Sequence, residues 1–202
     1  MHRFPTAITS VVSRPSCARF ASVRLRTAVS STAGARSMTA SAKRRCITFH
    51  VARCGDRWTT DDGVTLSVLS PCGALFADGK NDVNENSVVV MLAYRDFHML
   101  FMGDAGFQAE HRLLETGTDV RADVLKVGHH GSKFSSAPGF VAAVHPRYAL
   151  VSAGRHNLFG HPAATTLATL RAAGAAVYRT DLCGAIIVES GTEPRTTTTL
   201  GC

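Results

Sequence analysis

The chain has 202 residues, 45% of them apolar, and a formal net charge of +7, enough for one ordinary domain or a smaller domain with a tail. Ten of its 22 Lys and Arg lie in residues 1–53, which contain no acid, leaving 12 basic against all 15 acidic residues in the rest, a net of −3. The basicity belongs to the leader, so a nucleic-acid patch is not inferred from the charge balance.

Residues 1–53 are rich in Ser, Thr, Ala and Arg and show no sustained period of 2 or 3.6. They read as a disordered basic leader or as an artefactual extension through a wrong start or a frameshift. The composition is also that of an organelle transit peptide, which would make the compartment mitochondrial. The six cysteines, Cys17, Cys46, Cys54, Cys72, Cys183 and Cys202, show no CxxC pair and read as separate thiols. No apolar run reaches the roughly 18 to 20 residues that span a bilayer.

From Gly55 the texture changes. Val64 to Leu69 alternates as a half-buried strand does and stops at Ser70-Pro71. A polar loop through Asn81 to Asn86 follows. Ser87 to Tyr94 and Phe97 to Met102, separated only by Arg95-Asp96, are expected to pair as an antiparallel hairpin. Residues 107–116 suit a helix stopped at Gly117. Val124 to Val127 reads as a buried strand, Ala137 to Val144 as a helix with Pro138 in its first turn, Tyr148 to Ala153 as a strand, and Pro162 to Ala173 as a helix closed by Gly174. Val177 to Tyr178 and Ala185 to Val188 form two short strands around Asp181 to Gly184, and residues 191–202 read as a disordered tail. Strands alternating with helices after Asp104 give an α/β class.

Three apolar runs end in polar chemistry. Asp104 follows Gly103 at a strand end, where a carboxylate can bridge two cations or orient a water, or else cap the next helix. His129 and His130 sit between Gly128 and Gly131, and only a turned backbone aims both at one site, one as a metal ligand and its neighbour as a substrate contact. The alternative is a pair of packed or surface histidines. His161, between Gly160 and Pro162, precedes a helix and is placed to contact a ligand or phosphate, or is a loop histidine. Lys126 lies in an apolar strand and must snorkel or pair, with Asp123 or Glu110 as candidate partners. Ser132 follows the two histidines, yet no GxSxG elbow surrounds it, so covalent catalysis is the weaker reading.

Asn86-Ser-Val-Val-Val90, Phe101-Met-Gly-Asp104, Ala122 to Ser132, Ser135-Ser136, Asn157-Leu-Phe-Gly-His-Pro162 and Tyr178-Arg-Thr-Asp181 occur in a particular order and spacing. In these, residues 54–190 resemble the C-terminal half of the metallo-β-lactamase-like domain of ComEC-type DNA-internalisation competence proteins. The resemblance implies a partial αββα sandwich, a mixed sheet with flanking helices. It also implies zinc or manganese, and phosphodiester hydrolysis of DNA during uptake.

On this resemblance Asp104, His130 and His129 are metal ligands, His161 and His129 catalytic contacts, and Ser132, Lys126 and His161 substrate contacts. The superfamily's HxHxDH element is absent, since no two of the nine histidines are separated by one residue. The membrane channel of the full-length proteins is absent too. The expectation is therefore a truncated domain, inactive as given, that self-associates or joins a separate N-terminal half near the bacterial inner membrane. Two alternatives stand beside it: a non-catalytic remnant or structural partner, and a related metallo-hydrolase acting on a small ester or cyclic nucleotide.

Overall fold

The computed structural model describes residues 50–77, 79–190 and 195–198. The reading of the leader falls outside them except for its last four residues, of which Ala52 is buried.

Seven strands form one mixed sheet in sequential order: Arg57–Thr59 (β1), Thr65–Ser70 (β2), Val89–Tyr94 (β3), Phe97–Phe101 (β4), Val124–Lys126 (β5), Tyr148–Val151 (β6) and Ala176–Arg179 (β7). The first four pair antiparallel and β4 through β7 pair parallel. A short helix, Asp82–Glu85 (α1), precedes β3. The parallel strands are joined by crossover helices Phe107–Glu115 (α2), Pro138–Val144 (α3) and Ala164–Ala172 (α4). Because these strands advance across the sheet in one direction and crossovers are right-handed, all three helices are laid on one face.

Strand periodicity shows which face is dry. Val89 and Met91, Leu100, Leu125 and Val127, and Ala149 and Val151 enter one core with Leu113 of α2, Phe140, Val141 and Val144 of α3, and Leu167 and Leu170 of α4. On the opposite face Val90, Val124 and Leu150 are buried too, while Leu92, Met99, Phe101 and Tyr148 are only partly buried. The result is the expected partial sandwich, a seven-stranded mixed sheet with its three crossover helices on one side.

The expected hairpin forms: Tyr94 pairs with Phe97, and Arg95 takes a positive φ of 54° in the turn. Strands β2, β5 and β6 and helices α2, α3 and α4 lie where periodicity put them, within a residue or two at their ends. Four pieces were not anticipated. They are β1, α1 in the polar loop, the turn Thr180–Cys183 (α5), and Arg195–Thr198 (β9), which pairs with Ile186–Glu189 (β8) inside the stretch read as a tail.

The cysteine reading is corrected. Cys54 and Cys72 form a disulfide across a separation of 18 residues, and Cys183 is disulfide-bonded as well. Spacing concealed the first bridge because its partners meet only when β1 and β2 fold into a hairpin. Among the described residues no helix is long and apolar enough to cross a membrane.

Candidate functional site

The predicted residues converge where the parallel strands end, the edge at which open α/β sheets bind ligands. Beyond β4, Gly103 turns the chain at φ 58°, and a Cβ there would lie 3.2 Å from that of Ser87. The Asp104 amide donates to the Ser87 hydroxyl at 3.1 Å, which aims the turn. Asn86 is fixed beside it, its side-chain amide exchanging two hydrogen bonds with the Phe76 backbone at 2.8 and 2.9 Å. The Asn86-Ser87 pair therefore positions the turn that carries the carboxylate.

Beyond β5 the chain makes a tight turn in which His129 and His130 both adopt positive φ, 46° and 56°. Two consecutive non-glycine residues in this region are costly, of order 1–2 kcal/mol each, and the surroundings hold them there. The His129 amide donates to Gly103 O at 3.0 Å. Gly128 approaches the Asp104 turn so closely that a Cβ would meet Ala105 O at 2.6 Å. Ser135, 2% exposed, donates its hydroxyl to the carbonyls of Gly128 and Ser132, each at 3.0 Å.

This geometry separates the two rings. His130 places Nδ1 2.7 Å from the Ser152 carbonyl at the end of β6. With Nδ1–H donated there, Nε2 is the free nitrogen, and it faces Asp104 Oδ1 at 3.4 Å. One nitrogen of the His130 ring is thus held by a backbone carbonyl and the other is turned to a carboxylate. The His129 ring instead meets His161 edge-on at 5.6 Å. Burial and the neighbouring His129 and His130 hold the His161 imidazole below its usual pKa, while Asp104 pulls it up.

The remaining loops are stitched to these. Asn157 clasps the His161 loop: its Nδ2 donates to Gly154 O at 2.9 Å and to His161 O at 2.6 Å, and its Oδ1 accepts from His161 N at 2.9 Å. Ala163 N donates to Gly131 O and the Thr166 hydroxyl to Ser132 O, both at 2.8 Å. Thr180 fastens Ala153 through its hydroxyl, which accepts from Ala153 N and donates to Ala153 O, each at 2.9 Å. Arg179 grips Asp181 with Nε at 3.1 Å and Nη2 at 2.6 Å.

Lys126 faces neither expected partner. Asp123 accepts from His98 N and Glu110 from the amides of Ser136 and Ala137. The Lys126 ammonium donates to Val127 O, and burial lowers its pKa while Asp104 opposes that shift. Ser132 is 2% exposed, with its hydroxyl accepting from Phe134 N, so it shapes the turn.

The capping roles of two buried carboxylates escaped sequence reasoning. Glu85 of α1 accepts the amides of Gly106 and Ala109 at the start of α2, and Glu110 of α2 accepts those leading into α3. The available signal was Glu110 lying between Ala109 and Leu113 on the buried stripe of its helix. Among the described residues no three His, Cys, Asp or Glu side chains are grouped so that they could hold a metal ion.

No protein-family model matches the chain. It is 35% identical over 103 residues to ComE operon protein 3 of Bacillus subtilis, covering 51% of this chain and 13% of that protein. It is 36% identical over 132 residues to competence protein ComA of Neisseria gonorrhoeae, covering 64% and 18%, and 32% identical over 127 residues to recombination protein 2 of Haemophilus influenzae, covering 62% and 15%. The chain thus spans less than a fifth of the length of these relatives. A solved CmlA β-hydroxylase variant superimposes with a TM-score of 0.45 at 10% identity, over 74% of this chain and 34% of the other.

Proposed function

Taking as premise the similarity of this chain to a segment of the ComEC-type competence proteins, we propose that it carries one side of a metal-assisted site for hydrolysing the phosphodiesters of DNA during uptake. The observation that carries this reading is His130, fixed through Nδ1 on Ser152 O and presenting Nε2 to Asp104 at 3.4 Å. Zinc or manganese is the implied group, and the donor chemistry fits it at these two residues. Asp104 and His130 supply two of the about four donors that zinc takes. A bound ion would supply polarisation of a phosphoryl oxygen.

The chain's own residues prepare that edge. Ser87 and Gly103 aim the Asp104 carboxylate, and the left-handed turn at 129–130 separates a ligand ring from a ring that faces His161. His129 and His161 line the side on which substrate oxygen would lie, within reach for hydrogen bonding or proton transfer. The Lys126 ammonium offsets phosphate charge from beneath. On this reading DNA is the substrate, and the chain works beside a channel at the bacterial inner membrane.

Titration of the chain with Zn²⁺ and Mn²⁺ tests it. An Asp104→Ala, His130→Ala double variant is expected to bind at least about tenfold more weakly, and equal affinity would sink the reading. Cleavage of single-stranded DNA against small phosphate esters then identifies the substrate class.

A second reading has its own support. Asp104 and His130 already face one another, and the sheet face with Leu92, Met99 and Phe101 is only partly covered. A structural partner, in which these groups satisfy each other and the sheet is completed by another segment, would show no metal affinity in the wild-type chain.

A further inference from the structure

The loop after β6 holds two apolar side chains in water next to the site: Leu158 is 98% exposed and Phe159 81% exposed. Neither belongs to the core cluster or to any use made of the site so far. The loop is not loosely held, because Asn157 clasps both its ends through Gly154 O and the His161 backbone. A segment fixed by its own hydrogen bonds while presenting large apolar groups to solvent has the character of a recognition element.

The Phe159 ring is also oriented. It stacks on His161 at 5.9 Å with an interplanar angle of 19°, and His161 in turn meets His129 at 5.6 Å. A run of rings therefore leads outward from the Asp104–His130 edge and ends in an aromatic group standing in solvent. The two loops that form this rim, residues 127–137 and 152–163, contain Lys133 and Arg155 and no acidic residue. An exposed flat ring beside an acid-free cationic rim is the combination by which proteins hold single strands, stacking a base while cations track the phosphates.

We propose that Phe159 is a nucleobase-stacking contact, which seats one base of a single-stranded DNA on the outer rim while the adjoining phosphodiester lies at the Asp104–His130 edge. This rests on the reading of the site as one that acts on DNA, and it adds that the strand is engaged unpaired, since a base inside a duplex has no free face to offer. Stacking is tolerant of sequence because every base has a π-face, so recognition here is by strandedness.

Fluorescence anisotropy with the full chain tests this, using labelled oligothymidylate and an abasic oligodeoxynucleotide of the same length as probes. Stacking of one base is expected to favour oligothymidylate by about tenfold, within the range of single base–aromatic contacts. Phe159→Ala should abolish that preference without changing the affinity for the abasic strand, and Phe159→Trp should restore it. Unchanged melting curves show that the fold is intact, as expected for a ring so exposed. A preference that survives in Phe159→Ala, or equal binding of the two probes by the wild-type chain, overturns the stacking role and leaves the DNA reading standing. Failure of both probes to bind removes both.

Discussion

Glu110 and Ser136 are joined by a buried hydrogen bond of 2.5 Å, in which the carboxylate of α2 accepts the amide of a residue held at φ 63° at the entrance to α3. Burial raises the Glu110 pKa to about 7, against the opposing pull of the Ala137 and Ser136 amides and with a smaller push from Glu85. The folded-state pKa lies above the unfolded value of 4.5, so the folded chain binds the extra proton. Stability from this group is therefore full below about pH 4.5 and falls as pH rises to about 7, by an amount of order 3 kcal/mol. Urea melts between pH 5 and 8 should show this decline, and Glu110→Gln should flatten it. A variant with the same slope as the wild type would rule Glu110 out as its source.

Asn157→Ala removes the clasp of the His161 loop. The expected loss is about 1–3 kcal/mol, accompanied by faster hydrogen exchange at the His161 amide, whose acceptor is the Asn157 side chain. An amide as protected as in the wild type would mean that the loop is held by Ala163 and Pro162 instead.

Gly128→Ala forces a Cβ against the Ala105 carbonyl, 2.6 Å away. That contact lies where the Asp104 turn meets the histidine turn, so the two must separate. Destabilisation of about 1–3 kcal/mol is expected in denaturant melts, together with weaker zinc binding if Asp104 and His130 share an ion. Wild-type stability would show that the turns can part without strain.

The Cys54–Cys72 bridge closes a short loop around β1 and β2. Loop-closure entropy assigns it about 3 kcal/mol, so Cys54→Ser, or reductant applied to the wild type, should lower the melting temperature. An identical melt with and without reductant would remove this contribution.

The helices and strands were legible because their signals are local. Phe107 to Leu114 repeats at helical spacing, and Arg95-Asp96 leaves room only for a hairpin turn. The polar ends of the strands were legible for the same reason, glycine beside a ligand-type side chain. The contacts that aim those side chains were not. Ser152 acts on His130 through its backbone carbonyl, a group that every residue carries. Ser87 reaches Asp104 across 17 residues and Glu85 reaches Ala109 across 24, separations at which no periodicity links them. The different settings of the His129 and His130 rings required the backbone dihedrals, since an extended strand would have sent the two rings to opposite faces. The cysteine bridge failed for a related reason, because its partners become neighbours through strand pairing.

Glu85 and Glu110 also determine how damage would spread. The first carboxylate fastens the start of α2, and the second, carried on α2, fastens the entrance to α3. Acting in series, they make the second cap conditional on the first: once α2 loosens, Glu110 no longer has a fixed position from which to hold Ser136. Their separate removals should then be less than additive when combined. The helical layer would yield as one cooperative unit, from a carboxylate in a loop that looks merely polar.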